Sequence, residues 1–329
     1  MQRILTILSI LLIVLSGISQ NVTNVSFHQE DNKVVITYDL DKAADVSVYM
    51  STDGGHSFGR ALQHVTGAVG KNVQAGTNNH IVYDALAEYD ELKGEDFVFK
   101  VSAICVQSCP STVTDYDSNR YNTVKIGEQC WMKENLRSTH YSDGTNIELG
   151  KSYSYDAAYR YYPNNHRIYV YTYGYLYNWK AVMRNSPSSI NIPSGVQGIC
   201  PNDWHVPSYA EWTQLVDYVS SQSQYMCGGN NTSINKSLAT KIGWETTTLF
   251  ICATGNDIST NNATGFSAVP AGNYGDSWLN GFGKNASFWS ATDINKDRAY
   301  YIVLFYDHSS VKSATDSKKN GFSVRCLHD

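Results

Sequence analysis

This sequence carries no surplus of positive charge, no second long apolar run and few of the short spellings that mark metal capture or catalysis. Its 25 Lys and Arg against 30 Asp and Glu leave a formal net charge of -5. Nucleic-acid binding relies on a basic face that neutralises phosphates, so this balance argues against nucleic acid as a partner. Beyond the N-terminus no segment approaches the ~18 apolar residues that a bilayer span needs. The seven cysteines include no Cys-x-x-Cys, and Cys105-x-x-x-Cys109 has no partner pair at zinc-finger spacing. Nine histidines form no His-x-x-x-His pair and no His-Glu-x-x-His helix. There is no phosphate loop either. The expectation is a chain without metal, cofactor or catalytic centre.

What is present starts with an export signal over residues 1–19. Arg3 supplies the positive charge, Ile4 to Leu15 form an apolar run interrupted by Thr6 and Ser9, and Gly17-Ile18-Ser19 is a small-x-small cleavage pattern. The mature chain is expected to begin at Gln20 or Asn21 and to act outside the cell, secreted or held at the cell surface. In that compartment cysteines favour disulfides over zinc. The 24 Tyr against 10 Phe are unusual. Tyrosine suits recognition loops through its rigid area and polar tip, and it suits half-buried strands equally well.

Residues 20–104 read as an all-β sandwich of immunoglobulin or fibronectin type. Val34 to Tyr38, Val46 to Met50 and Phe97 to Val101 are short β-branched or aromatic runs, separated by turn signals such as Asp53-Gly54-Gly55. Residues 105–112 form a linker, and 113–329 a second domain. There Val113 to Tyr116 and Tyr121 to Ile126 flank Asp117-Ser118-Asn119-Arg120 as a hairpin. Asp115-x-Asp117-x-Asn119 imitates half of an EF-hand loop, but Arg120 stands where that loop needs Gly and Ile126 where it needs Glu, so a turn is the reading. Cys109 and Cys130 sit equidistant from this turn, which predicts a bridge between them, with Cys105 as the unpaired seventh or an alternative partner. Cys227 and Cys252 bracket a Gly- and Asn-rich stretch and make a second pair.

Helices are few. Ser208 and Glu211 spell a capping box, followed by Trp212, Leu215, Val216 and Val219 on one stripe. An earlier helix is predicted from about Tyr175, with Leu176, Trp179 and Val182 on one face, and a shorter one around Ile234, Leu238 and Ile242. Phe288 to Ser290, Ala299 to Tyr306 and Phe322 to Leu327 read as strands.

Four landmarks punctuate this domain: Gln129-Cys130-Trp131-Met132-Lys133-Glu134-Asn135-Leu136, Gly198-Ile199-Cys200-Pro201-Asn202-Asp203-Trp204-His205-Val206-Pro207-Ser208, Gly265-Phe266-Ser267-Ala268-Val269-Pro270-Ala271-Gly272 and Gly321-Phe322-Ser323-Val324-Arg325-Cys326. Together they closely resemble the Fibrobacter succinogenes major paralogous domain, a family placed with the C-type-lectin-like folds. The sandwich around Ser51 to Phe58 resembles surface modules found ahead of that domain. The resemblance implies an α+β chain: an all-β sandwich, then a disulfide-braced lectin-like domain with two or three helices and an antiparallel sheet. It also implies a Bacteroidetes-type or Fibrobacter-type bacterium and a Cys200–Cys326 bridge tying the last strand to the start of the capped helix.

The sugar-and-calcium spellings of such lectins, Glu-Pro-Asn or Gln-Pro-Asp followed by Trp-Asn-Asp, do not occur. Asp276, Asp293, Asp297, Asp307 and Asp316 lack a ligand spacing. Sulfatase-modifying enzymes share the architecture, but they need a pair of cysteines late in the domain, and Cys326 is the only one after Cys252. His205, next to a helix cap, reads as structural. The remaining candidate is an aromatic and polar surface comprising Trp278, Asn295, Tyr301, Phe305, Asp307, His308, Ser310 and Lys312, where rigid aromatics would dominate affinity. The expected function is a non-catalytic binding protein that displays a lectin-like head on a sandwich spacer and takes a glycan or protein ligand on another cell or in the matrix. The alternatives are a pilus-tip or matrix component, and a diversified binding protein whose variable cassette spans 293–317.

Overall fold

Val34, Ile36, Tyr38 and Leu40 share one side of the strand Lys33–Leu40, and Ala44, Val46, Val48 and Met50 share one side of Ala44–Ser51. All eight are buried, and this period of two organises the first unit. The computed structural model describes residues 4–7, 22–105, 109–150, 152–275 and 281–329. The chain forms two compact units, Met1–Ser108 and Cys109–Asp329. In the first, Val22–Glu30, Lys33–Leu40, Gly76–Tyr83 and Val65–Gly67 make a four-stranded sheet, and Gly70–Val73, Ala44–Ser51 and Val98–Cys105 a three-stranded one. Their apolar residues, with Ile81, Tyr83, Phe99 and Val101 added, form a single core. Each fully buried aliphatic or Phe side chain there contributes about 1.5–3 kcal/mol. Of the expected export signal only Ile4–Ile7 is described, as a short strand parallel to Glu91–Gly94; the rest lies outside the described residues.

The second unit is sheet-rich α+β, built from three sheets. One runs in the order Thr112–Thr114, Arg120–Ile126, Gln129–Met132, Leu327–His328, Trp204–His205. A second comprises Glu148–Leu149, Tyr159–Tyr161, Leu176–Asn178 and Gly321–Phe322. The third is the antiparallel trio Asn285–Asp293, Arg298–Phe305 and Lys312–Ser317. The segment 321–328 joins all three: Phe322 pairs with Tyr177, Ser323 bridges Phe288, and Leu327 pairs with both Trp131 and His205. The expected continuous strand from Phe322 to Leu327 is therefore broken, because each end serves a different sheet.

The capped helix forms as its spelling requires. Ser208 Oγ accepts from the Glu211 N–H at 3.2 Å, and Glu211 Oε2 accepts from the Ser208 N–H at 2.9 Å. The helix Tyr209–Ser221 buries Trp212, Leu215 and Val219 against the third sheet, with Trp212 5.5 Å from Phe288 and 4.6 Å from Trp131 between ring centres. The helix predicted from Tyr175 starts later. Leu176–Asn178 is a buried strand, and Asn178 caps a short helix Trp179–Met183 by accepting from the Ala181 N–H at 3.1 Å. Strand pairing on both sides of Tyr177 overrides the helical spacing of Leu176 and Trp179. The third helix is only Asn235–Leu238, and Ile242 is exposed beyond it.

Disulfides join Cys109 to Cys130, Cys200 to Cys326 and Cys227 to Cys252. The first arises by a route the single hairpin did not suggest. Gln129–Met132 folds back on the far side of Arg120–Ile126, with Cys130 opposite Lys125. The Thr123 hydroxyl donates to the Pro110 carbonyl, which draws the segment carrying Cys109 across the central strand.

Candidate functional site

The expected recognition residues do not converge on one place. Asn295 lies in the turn after Asp293, where its side-chain oxygen accepts from the N–H groups of Asp297 and Arg298 at 2.9 Å each. Phe305, Asp307, His308 and Ser310 lie at the opposite end of the Arg298–Phe305 strand, roughly 25 Å away at strand rise. There His308 Nδ1 meets Asp307 Oδ1 at 2.9 Å, and the exposed Lys312 opens the next strand. Tyr301 sits mid-sheet and packs on Phe322, 4.6 Å between ring centres, while burial raises its phenol pKa. Trp278, with Asp276, lies outside the described residues. Both faces of the Arg298–Phe305 strand are covered. Ile302 and Leu304 join the core under the Tyr209–Ser221 helix, and Ala299 and Tyr301 join the one around Trp289 and Phe322.

Three of the four landmarks converge instead on a buried guanidinium, and the second is tied to the same segment by the Cys200–Cys326 bridge. Arg325 is fully buried and donates from Nε to Asn135 Oδ1 at 2.7 Å. From Nη1 it donates to the carbonyls of Met132 at 3.0 Å and Phe266 at 2.6 Å, and from Nη2 to that of Ser267 at 2.8 Å. It also lies 4.7 Å from the Phe266 ring centre. Burial pulls its pKa down to about 9, with Glu134 opposing, so the group stays charged at neutral pH. The second landmark contributes His205, whose Nε2 lies 2.8 Å from Glu211 Oε1 and whose Nδ1 meets Asp329. Burial lowers the His205 pKa, but those two carboxylates outweigh it and raise it to about 9. His205 stands beside the helix cap with both ring nitrogens held by carboxylates. Cys326 is held in its disulfide. In the first unit Gly55-His56-Ser57-Phe58-Gly59 has the letters of a nucleophile elbow, which requires a strand-to-helix turn. No helix follows it, and the Ser57 hydroxyl donates to Asp53 at 2.6 Å in a plain turn.

The site the chain does assemble is an open cleft of about 590 Å³ lined by Asp117, Ser118, Asn119, Arg120, Arg137, Thr139, Arg167, Val170, Tyr171 and Tyr175. Three separate segments supply it, and each is fixed locally. Asp115 closes the hairpin turn by accepting from the Asn119 N–H at 2.9 Å and from the Tyr121 hydroxyl at 2.6 Å. Arg137 donates from Nη2 to the Arg120 carbonyl at 2.9 Å and from Nε to Asn119 Oδ1 at 3.3 Å, with its guanidinium 4.6 Å from the Tyr121 ring centre. The third wall, the short helix Val170–Tyr173, presses on Asn135 and Leu136. Gly174 at φ 75° permits this, because a Cβ there would stand 2.6 Å from Asn135 Cβ. Asn135 Nδ2 donates to the Tyr173 carbonyl at 2.9 Å and to Ser323 Oγ at 2.9 Å. The amide that receives Arg325 therefore also anchors the cleft wall.

Electrostatically the cleft opposes the chain's negative balance. Arg120, Arg137 and Arg167 face one lining carboxylate, Asp117. That carboxylate accepts from the Thr139 N–H and hydroxyl, the Ser138 hydroxyl and the His140 N–H, and meets His140 Nδ1. Burial acts to raise its pKa, but these bonds prevail and lower it. Tyr171 is 83% exposed, with the Arg137 guanidinium 5.6 Å from its ring centre. Behind the lining, Arg160 stands 5.2 Å from the Tyr175 ring centre, its buried Nε and Nη1 without a hydrogen-bond partner.

A family model for the Fibrobacter succinogenes major domain matches residues 124–328. The chain belongs to the Fibrobacter succinogenes major domain family. No curated protein and no solved structure matches it. The major domain as matched holds all four landmarks, the Arg325 network and the Arg137 to Tyr175 side of the cleft. The hairpin turn Asp117 to Arg120 lies ahead of the match. Sequence reasoning missed the cleft, although four tyrosines at alternate positions from Tyr169 to Tyr175, directly after Arg167, offered a visible signal.

Proposed function

We propose that this is an exported, non-catalytic binding protein whose major domain is a C-type-lectin-like head that takes a glycan in the Arg120–Arg137–Tyr171 cleft. The first unit, read as an immunoglobulin- or fibronectin-type sandwich, acts as the spacer. Two facing sheets around one core support that reading. Three disulfides suit an oxidising compartment outside the cytoplasm. The lectin-like assignment draws on the order of hairpin, capped helix and late antiparallel trio, with the terminal segment bonded back to Cys200. The observation that carries the function is Tyr171, an open ring held beside guanidinium donors on a braced wall. A sugar ring stacks on such a face while its oxygens accept from the arginines. The test is a glycan array probed with the full chain and with Tyr171→Ala. Binding by the wild type that falls at least tenfold in the variant is the expected outcome; no saccharide bound would refute the proposal.

A second reading, a matrix or pilus-tip component, draws on a different feature. Leu249, Phe250 and Ile251 are 70%, 62% and 79% exposed, next to the Cys227–Cys252 bridge. Three consecutive exposed apolar side chains suit docking onto a neighbouring protein. Phe250→Ser with Leu249→Ser would then release the protein from a native surface assembly and leave glycan binding unchanged.

A further inference from the structure

We infer that the cleft selects acidic saccharides: its ligand carries an oxyanion, a carboxylate or sulfate on a sugar ring. This rests on the glycan-binding reading above and adds the chemical class. Three arginines line a single cleft in a chain whose formal net charge is -5, so the local field reverses the global one. The one lining acid, Asp117, is already engaged by five donor or ring-nitrogen contacts and presents little free acceptor capacity. Among the described residues the Arg120 and Arg167 side chains have no carboxylate partner, and Arg167 projects from the exposed turn Arg167–Tyr169. Arg137 is the pre-oriented member. Bonds to Asn119 and to the Arg120 carbonyl hold its plane, and its Nη1 makes no hydrogen bond among the described residues.

A planar guanidinium with a free edge grips two oxygens of a carboxylate or sulfate in bidentate fashion, which ammonium or amide donors do not. Arg160, half-buried behind Tyr175 with its Nε and Nη1 lacking hydrogen-bond partners, adds a further positive charge on the same side. The open Tyr171 ring favours a sugar as the carrier of the anion. An extended acidic peptide is less suited, since the lining is a hairpin turn, a connector and a helical turn rather than an open strand edge.

The experiment uses the full chain on an array of uronate-, sialate- and sulfate-bearing oligosaccharides beside neutral counterparts, including methyl-esterified oligogalacturonate. The strongest binders are then titrated calorimetrically at low and high salt. The test variant is R120Q/R167Q, two exposed side chains whose replacement leaves the melting temperature unchanged. The expected result is preference for acidic saccharides, at least tenfold weaker binding in the variant, a similar loss on methyl esterification and weakening with salt. Neutral saccharides bound equally well, with R120Q/R167Q at wild-type affinity, would overturn the acidic class while leaving glycan binding intact. No saccharide bound at all would overturn both. Capture of acidic peptides in place of acidic sugars, abolished by R120Q/R167Q, would overturn the ligand class assigned here.

Discussion

Replacing Arg325 by Lys should destabilise the major domain by about 3 kcal/mol although the charge is kept. The guanidinium places four hydrogen bonds in three directions, onto Asn135, Met132, Phe266 and Ser267. An ammonium on a shorter, non-planar head reaches at most two of these acceptors without moving the backbone. Each lost bond from a charged donor is worth about 1.5–3 kcal/mol, and each stranded carbonyl adds desolvation cost. Stacking over Phe266 and Phe288 weakens as well. For a unit of this size ~3 kcal/mol corresponds to a fall in Tm of about 6–12 °C. Differential scanning calorimetry of the oxidised full chain reads this directly, since the second unit's transition should move and the first unit's should not. Arg325→Met is the control: it loses every donor and strands all four acceptors, so it should cost at least as much as Arg325→Lys. A Tm within 2 °C of wild type for Arg325→Lys would refute the view that Arg325 organises this core.

His205 titrates in the opposite direction from a simple buried histidine. Its pKa rises from an ordinary ~6.5 to about 9, so its contribution, up to roughly 3 kcal/mol, is full below pH ~6.5 and lost as pH climbs through 9. Urea midpoints should fall between pH 6.5 and 9.5 in the wild type and stay level in His205→Gln; a flat wild-type profile would contradict this. Removing the Cys200–Cys326 bridge, which spans a sequence separation of 126, should cost about 4–5 kcal/mol by freeing the unfolded chain. Unchanged stability of the Cys200→Ser/Cys326→Ser pair would count against that. Thiol titration of the denatured, unreduced chain should find one free cysteine, and three or more would break the pairing. Gly174→Ala should lower glycan affinity, because its Cβ would push the Val170–Tyr173 wall off Asn135; wild-type affinity in that variant would separate the wall from the site.

Much of the scaffold was legible in the chain because its signals are local. Ser208 and Glu211 spell a cap that forms as written, and Asp115 to Asn119 spell a turn that Asp115 closes. The landmarks were legible as landmarks, yet their work is internal: Met132, Asn135, Phe266, Ser267 and Arg325 meet only after the terminal segment crosses three sheets. That crossing depends on pairings such as Phe322 with Tyr177 and Leu327 with Trp131, which no window of sequence contains. The same long-range pairing converted Leu176–Asn178 from a helical pattern to a strand. The late aromatic strand misled for a related reason. Apolar residues on both faces mean two covered faces, and the covers, Trp212 and Phe322, come from distant segments. The cleft was the least legible feature, since Arg120 appeared only as a misfit in a calcium-loop spelling and no motif drew notice to Arg137 or Arg167.

A crystal structure of the full chain grown with the acidic oligosaccharide that binds best on the array tests the central claim most directly. The sugar should lie on the Tyr171 ring with its oxyanion against Arg137 and between Arg120 and Arg167. A sugar seated instead at either end of the Arg298–Phe305 strand, with the cleft holding only solvent, would contradict the account.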